Sequence, residues 1–246
     1  MKINSITKRP KAVMFDLDDT IISYDGASEK AWKVICARFT EENKTAFSAE
    51  EMLEAVDNVK HSYWSDPARH KWGREHLTEA RREVLLLAME RLGFSDREKI
   101  IETADSYTSL QKEMICLFDG AYDAVKRLKN AGIKTALITN GSSEGQREKI
   151  ERFGLAPLFD EILIDTEVGF SKPHERIFRL ALDRLNVSPE EAVMVGDNPV
   201  WDTEIPQKMG IFAVLNNFRC SDISWEIPAD MVVENIAELT DFLLSL

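Results

Sequence analysis

Cysteine is scarce: the chain of 246 residues has three, Cys36, Cys116 and Cys220, far apart and odd in number. They make neither a metal knuckle nor a disulfide framework, so a reducing cytoplasm is the expected setting. Basic charge is in deficit, with 31 Lys and Arg against 43 Asp and Glu and a net charge of −12. That balance excludes a general nucleic-acid binder working by phosphate neutralisation, and it argues against docking on an anionic membrane. Long apolar runs are missing too; Val84 to Met89 is far too short to span a bilayer. The basic stretch Met1 to Lys11 has no apolar segment behind it, so no signal peptide is expected. What is present is a 44% hydrophobic fraction, enough for a packed core, at a length that suits one large domain or a domain carrying an insert.

Short apolar runs recur at Ala12 to Phe15, Lys134 to Ile138, Glu161 to Ile164, Ala192 to Val195 and Ile211 to Leu215. Short, partly β-branched and bounded by polar residues or glycine, they predict strands buried on both faces of a parallel sheet. Helical patterns alternate with them: Ala121 to Ala131 before Gly132, Ser143 to Phe153 before Gly154, and Glu175 to Leu185 after Pro173. The expected architecture is an α/β fold with right-handed crossovers. Residues 24 to 116 break the alternation. Trp32, Ile35, Cys36 and Phe39 fall at helical spacing, as do Val84, Leu85, Ala88, Met89 and Leu92. Ser48 with Glu51, and Ser95 with Glu98, read as capping boxes. The expected division is therefore an α/β core of residues 1–23 and 117–246, with an all-helical insert over 24–116.

The chemistry concentrates at strand ends. Ala12 to Phe15 runs into Asp16-Leu17-Asp18-Asp19-Thr20, and Ala192 to Val195 runs into Gly196-Asp197-Asn198, with Asp202 four residues beyond. Carboxylates clustered at the carboxyl end of a buried strand repel one another and cost desolvation unless a cation or a task justifies them. Ligands of open α/β sheets bind there, where strand order reverses, and hard oxygen ligands with open positions suit Mg²⁺ shared with a phosphate. Ile138 leads into Thr139-Asn140-Gly141-Ser142, a hydroxyl followed by backbone N–H groups that open a helix, which is a phosphate-binding element. Lys172, on a short turn after the third strand, could neutralise both a phosphate and the excess carboxylates. Each piece alone has a bland reading as a helix cap, a turn residue or a surface lysine. Four such elements in one order make coincidence improbable.

This ordered set resembles the haloacid dehalogenase superfamily of hydrolases, in the subfamily whose helical cap is inserted after the first motif. Asp16-Leu17-Asp18-Asp19-Thr20 matches DxDxT, Thr139 the second motif, Lys172 the third, and Gly196-Asp197 with Asp202 the fourth, GDxxxxD. The stretch Thr139 to Ile150 with Phe159-Asp160 is similar to phosphatases of the nucleotidase and N-acylneuraminate-phosphatase type. The resemblance implies a Rossmann-like core, Asp16 as nucleophile forming an aspartyl-phosphate, and Asp18 as general acid and then base. It implies Mg²⁺ held by Asp16, the Asp18 backbone carbonyl and Asp197, with Asp202 orienting the metal's waters. Thr139, Asn140 and Lys172 would bind the phosphoryl group. Dehalogenases and phosphonate hydrolases of the superfamily lack an acid at the position of Asp18, so phosphate-ester chemistry is favoured. Asn198 stands where Ser or Thr is common, and can still donate hydrogen bonds.

The expected activity is thus Mg²⁺-dependent hydrolysis of a small phosphomonoester. A phosphomutase using the same intermediate is the alternative, ahead of a non-catalytic binding protein or a 2-haloacid dehalogenase. The expected partner is a small phosphate ester, with no nucleic acid and no membrane, for a monomer or homodimer. Residues 61–76 collect His61, His70, His76, Trp64, Trp72, Arg69, Lys71 and Arg74, unusual company in an acidic chain. They read either as substrate contacts, with Arg69, His70, Lys71 and Arg74 as candidates, or as an exposed loop anchored by its tryptophans. The charged helix face Glu144 to Glu151 reads as solvated, and His174 as a helix-start residue. Hinges for the insert are expected near Ile22 to Gly26 and Leu117 to Gly120.

Overall fold

The computed structural model describes residues 6–219 and 229–246; Cys220 and the first five residues lie outside them. In chain order the core opens with β1 (Ala12–Phe15) and β2 (Ile22–Ser23). Five helices follow: α1 (Asp25–Asn43), α2 (Ala49–Ser65), α3 (Pro67–Glu75), α4 (Leu77–Arg91) and α5 (Arg97–Met114). The chain then runs through β3 (Cys116–Leu117), α6 (Ala121–Asn130), β4 (Lys134–Thr139), α7 (Ser143–Arg152), β5 (Glu161–Ile164), α8 (Asp165–Val168) and α9 (Glu175–Leu185). It finishes with β6 (Ala192–Gly196), α10 (Ile205–Lys208), β7 (Phe212–Asn216), β8 (Met231–Val233) and α11 (Ile236–Ser245). Two compact units result, Met1–Ser23 with Leu117–Leu246, and Tyr24–Cys116.

The first unit is built on a parallel sheet of six strands in the order β5-β4-β1-β6-β7-β8. Every residue of β1 and β6 is buried, as strands covered by helices on both faces must be. The chain builds outward from β1 to β4 and β5 on one side, then returns to lay β6, β7 and β8 on the other. Strand order therefore reverses at β1, the place where α/β folds bind ligands. The register is specific: Phe15 sits opposite Leu137 of β4 and Val195 of β6. α9 shows why the layers hold together. Ile177, Phe178, Ala181, Leu182 and Leu185 line one face at helical spacing and are buried against Met14, Ile138 and Met194 of the sheet.

The second unit is helical, with Trp32, Phe39, Met52, Tyr63, Leu85 and Met89 among its buried residues. Ser48 and Glu51 form the expected capping box at the start of α2, each side chain bonded to the other's backbone N–H. The box expected at Ser95 is displaced by one residue. Asp96 caps α5, its carboxylate accepting from Lys99 N, because a carboxylate one position later closes the same turn. Residues 61–76 are not a loop. They form the end of α2 and all of α3, and Asp66 between them accepts from the N–H groups of Ala68 and Arg69. Gly26 lies in the first turn of α1, while Gly120, at φ 75°, uses the left-handed conformation that its lack of a Cβ allows.

Candidate active site

The parallel register delivers the acids. One step past the β1 pairing, the Asp16 N–H donates to Val195 O at 2.9 Å, so Asp16 leaves the sheet beside the strand that ends at Gly196-Asp197. Beyond it the chain folds back tightly. Ile21 N donates to Leu17 O, Asp19 N to Ile22 O, and Asp19 takes a left-handed φ of 57°. Asn216, at the end of β7, secures this turn by donating to Asp19 O.

Asp16, Asp197 and Asp202 bring carboxylate oxygens within 4.8 Å of one another. Lys172 is wholly buried among them, its ammonium 2.7 Å from both Asp16 Oδ1 and Asp202 Oδ1. The other Asp202 oxygen accepts from Asn198 N, so Asp202 is spent on fixing Lys172 and the turn after β6. This close approach explains Gly196. A Cβ there would stand 2.3 Å from the Asp202 carboxylate. Burial pushes Asp16 up to about 7, even with Lys172 pulling it down. Burial, with Asp16, Asp202 and Asp19 nearby, pushes Asp197 up to about 9. Lys172 is held above the ordinary lysine range by Asp16 and Asp202, against its own burial. Three carboxylates facing one ammonium leave negative charge that a divalent cation would balance, and the all-oxygen donor set is of the hard type.

Asp18 points to different partners. Its two oxygens accept from Lys149 Nζ at 2.7 and 2.8 Å, and one also accepts from Gln146 Nε2 at 3.1 Å. Gln146 Nε2 reaches the buried Thr139 hydroxyl as well. The face of α7 taken for solvated thus carries two residues of the site. Ile150 is the sole apolar side chain of α7, so packing this helix on the core forces a polar neighbour on the same face inward, and Gln146 is that residue. Asn140 is used structurally. Its amide pairs both ways with the Lys172 backbone, at 2.8 and 2.9 Å, locking the two strand-end turns together. The Gly141 N–H, read from the sequence as part of a phosphate-binding element, donates to Asp165. The Asn198 side-chain oxygen accepts from Val200 N and Trp201 N, capping the turn, while its backbone N–H is the donor to Asp202. His174 is a helix start, as read, with Nδ1 accepting from Arg176 N.

The model of the haloacid dehalogenase-like hydrolases matches residues 10–210, which hold all of these groups except Asn216. The chain belongs to that family. A glyceraldehyde 3-phosphate phosphatase of Methanopyrus kandleri is 30% identical over 206 residues, covering 83% of this chain and 82% of that one. A phosphoserine phosphatase of Thermus thermophilus is 36% identical over 151 residues, 61% of this chain and 55% of the relative. Among solved structures, the HAD-hydrolase YfnB of Bacillus subtilis bound to magnesium shares the fold at a TM-score of 0.73 and 22% identity, covering 96% and 99%.

In this haloacid dehalogenase-like hydrolase, Arg69, His70, Lys71 and Arg74 all lie on α3 of the helical unit. The Arg69 guanidinium sits 3.7 Å from Glu83 and 5.1 Å from the centre of the Tyr63 ring. His70 stands edge-on to Trp64, and burial together with Arg74 lowers its pKa. Lys71 is exposed.

Proposed function

We propose that this hydrolase is a Mg²⁺-dependent phosphatase that cleaves a small-molecule phosphomonoester through an aspartyl-phosphate on Asp16. The observation that carries the reading is Asp18: an acid two residues past the nucleophile, with its carboxylate held by Lys149 and Gln146. Ester cleavage needs a group that gives the leaving alcohol a proton and then takes one from water. Relatives named as glyceraldehyde 3-phosphate and phosphoserine phosphatases support a substrate of that size.

Asp16 attacks phosphorus as the P–O bond to the alcohol breaks, and Asp18 donates its proton to the departing oxygen. The same Asp18 carboxylate then takes a proton from the water that releases phosphate and restores Asp16. Lys172 fixes the Asp16 carboxylate and offsets the charge of the phosphoryl oxygens, and the Thr139 hydroxyl binds one of them. Asp16, Asp197 and the Asp18 carbonyl would hold Mg²⁺, while Asp202, expected to orient the metal's waters, has both oxygens engaged by Lys172 and Asn198 N and so positions Lys172 instead. The ion supplies charge neutralisation at the phosphoryl group. Specificity for the leaving group is assigned to the helical unit, with Arg69, His70, Lys71 and Arg74 as candidates. The free thiols of Cys36 and Cys116 suit a reducing cytoplasm. No helix among the described residues is long and apolar enough to cross a membrane.

The test is a panel of phosphomonoesters assayed with Mg²⁺, joined to acid-quench recovery of labelled phosphoryl group on the Asp16 peptide. Phosphate release with label on that peptide is expected. Folded, Mg²⁺-loaded protein that releases phosphate from no ester would overturn the reading, and label retained on a bisphosphate would redirect it to a phosphomutase.

A further inference from the structure

Inside the helical unit lies a second chemically distinctive place. Arg81, on α4, is buried, and among the described residues no carboxylate stands within ion-pair distance of it. Its polar contacts are neutral: one terminal nitrogen donates to Tyr24 Oη at 3.1 Å and to the Gln111 side-chain oxygen. Its guanidinium also lies 5.3 Å from the centre of the Tyr107 ring. The neighbouring polar group is unfinished as well, since the Gln111 amide nitrogen is buried and has no hydrogen-bond partner. Arg81 lines a cavity of about 100 Å³ together with Tyr24, Trp32, Lys60, Trp64 and Tyr107.

A buried guanidinium is ordinarily paired, because leaving its charge uncompensated costs several kcal/mol. Here the surroundings are built to keep it in place without neutralising it. Ser28 shares a hydrogen bond with the Tyr107 hydroxyl at 2.9 Å, and the Trp32 and Tyr107 rings stack at 3.8 Å. The wall beside Arg81 is thereby rigid and aromatic. Lys60, on the rim, is already bonded to Asp57 at 3.1 Å. One full positive charge is therefore left to be matched, which suits a monoanion better than a dianionic phosphate. The guanidinium fork fits a carboxylate in shape, and the aromatic walls suit a short carbon stem. A cavity of about 100 Å³ has room for a small organic group, since a single water needs only about 10–15 Å³ of such space.

We propose that this cavity binds the carboxylate of a small organic acid, with Arg81 as its cation. The carboxylate can belong to a free acid or to the phosphoester itself, and the experiment separates the two. The full-length protein is titrated with propanoate, and with propanamide as the uncharged isostere, while tryptophan emission is followed; Trp32 and Trp64 line the cavity. Propanoate should give a saturable change and propanamide none. Arg81→Gln should weaken propanoate by about tenfold or more. Arg81→Lys, which keeps the charge but loses the fork, should fall between and keeps the test decidable if the Gln variant does not fold. No saturable response to propanoate, equal binding of propanamide, or unchanged affinity in either variant would overturn the proposal. The source is read from O-phosphoserine and O-phosphoethanolamine, which differ by one carboxylate. A fall in kcat/KM confined to phosphoserine in Arg81→Lys assigns the cavity to the substrate's own carboxylate. Unchanged kinetics with weakened propanoate binding assigns it to a free acid. Only this arm rests on the phosphatase reading, so a protein that binds propanoate but hydrolyses neither ester would fail that reading alone.

Discussion

Asp16 is held at 2.7 Å by an ammonium that also holds Asp202, so its carboxylate is aimed before any substrate arrives. Asp16→Asn keeps the shape and removes the proposed nucleophile. Turnover should vanish while the thermal melt stays cooperative, and steady-state phosphate release beside a melt checks both; substantial turnover by the folded variant would remove Asp16 from its role. Asp18→Asn should distinguish leaving groups, costing roughly 10²–10⁴-fold with an alkyl phosphate and much less with an aryl phosphate. Lys149→Met is a subtler probe, because it leaves every acid in place and removes the ammonium that anchors Asp18. Its effect should follow the same alkyl-over-aryl pattern at smaller size, and a uniform loss across both esters would mean that Lys149 serves another step. Asp16, Asp18, Thr139 and Asp197 were legible as candidates because each sits where an apolar run that announces a strand gives out, and Lys172 and Asp202 by their place in the ordered motif set. Gln146 and Lys149 could not, since their role depends on which face of α7 turns inward. The clue was compositional: one isoleucine is too little apolar surface for a helix that must pack.

Elements with a sustained buried apolar run or stripe were the easiest to foresee. β1, β5 and α9 fall on the expected residues, β4 and β6 each run one residue further, and β7 is shifted by one residue at both ends. Strands without such burial escaped. β2 and β3 are two residues each, and β8 is a sheet-edge strand of three whose Val232 is half exposed, so none carries a run long enough to read. The junction of β6 with the turn after it makes a further prediction. At Gly196 any side chain collides with the Asp202 carboxylate, which must then release Lys172 or Asn198 N. Gly196→Ala should therefore lower kcat/KM by roughly 10²-fold, the scale of an ångström-size misplacement. Kinetics on a folded preparation would show it, and a near-normal rate would mean that Asp202 tolerates displacement.

At the scale of the whole molecule, the buried acids set how stability depends on pH. Asp16 and Asp197 rise from an ordinary 3.8 to about 7 and about 9 on folding. Acids raised in this way contribute stability below about pH 4, which is lost as pH climbs through the folded values. Lys172, shifted upward, stays charged across that window. Metal-free protein should melt lower at about pH 9 than at about pH 6, and added Mg²⁺ should restore more at the higher pH because it binds the ionised acids. Melts in chelator and in Mg²⁺ at the two pH values test this; equal midpoints in all four would mean the acids are not so strained. The pairing of β2 with β3 has a different consequence. The helical unit leaves and rejoins the core through adjacent strands, and Phe118 N donates to Ile21 O just past the junction. To the sheet, the residues between amount to one loop whose ends are already closed, and closure entropy grows only slowly with loop length. The segment is placed as an exchangeable cassette: a lineage could lengthen, trade or rebuild the helical insert at one strand pair, while the register that spaces the acids goes on unaltered.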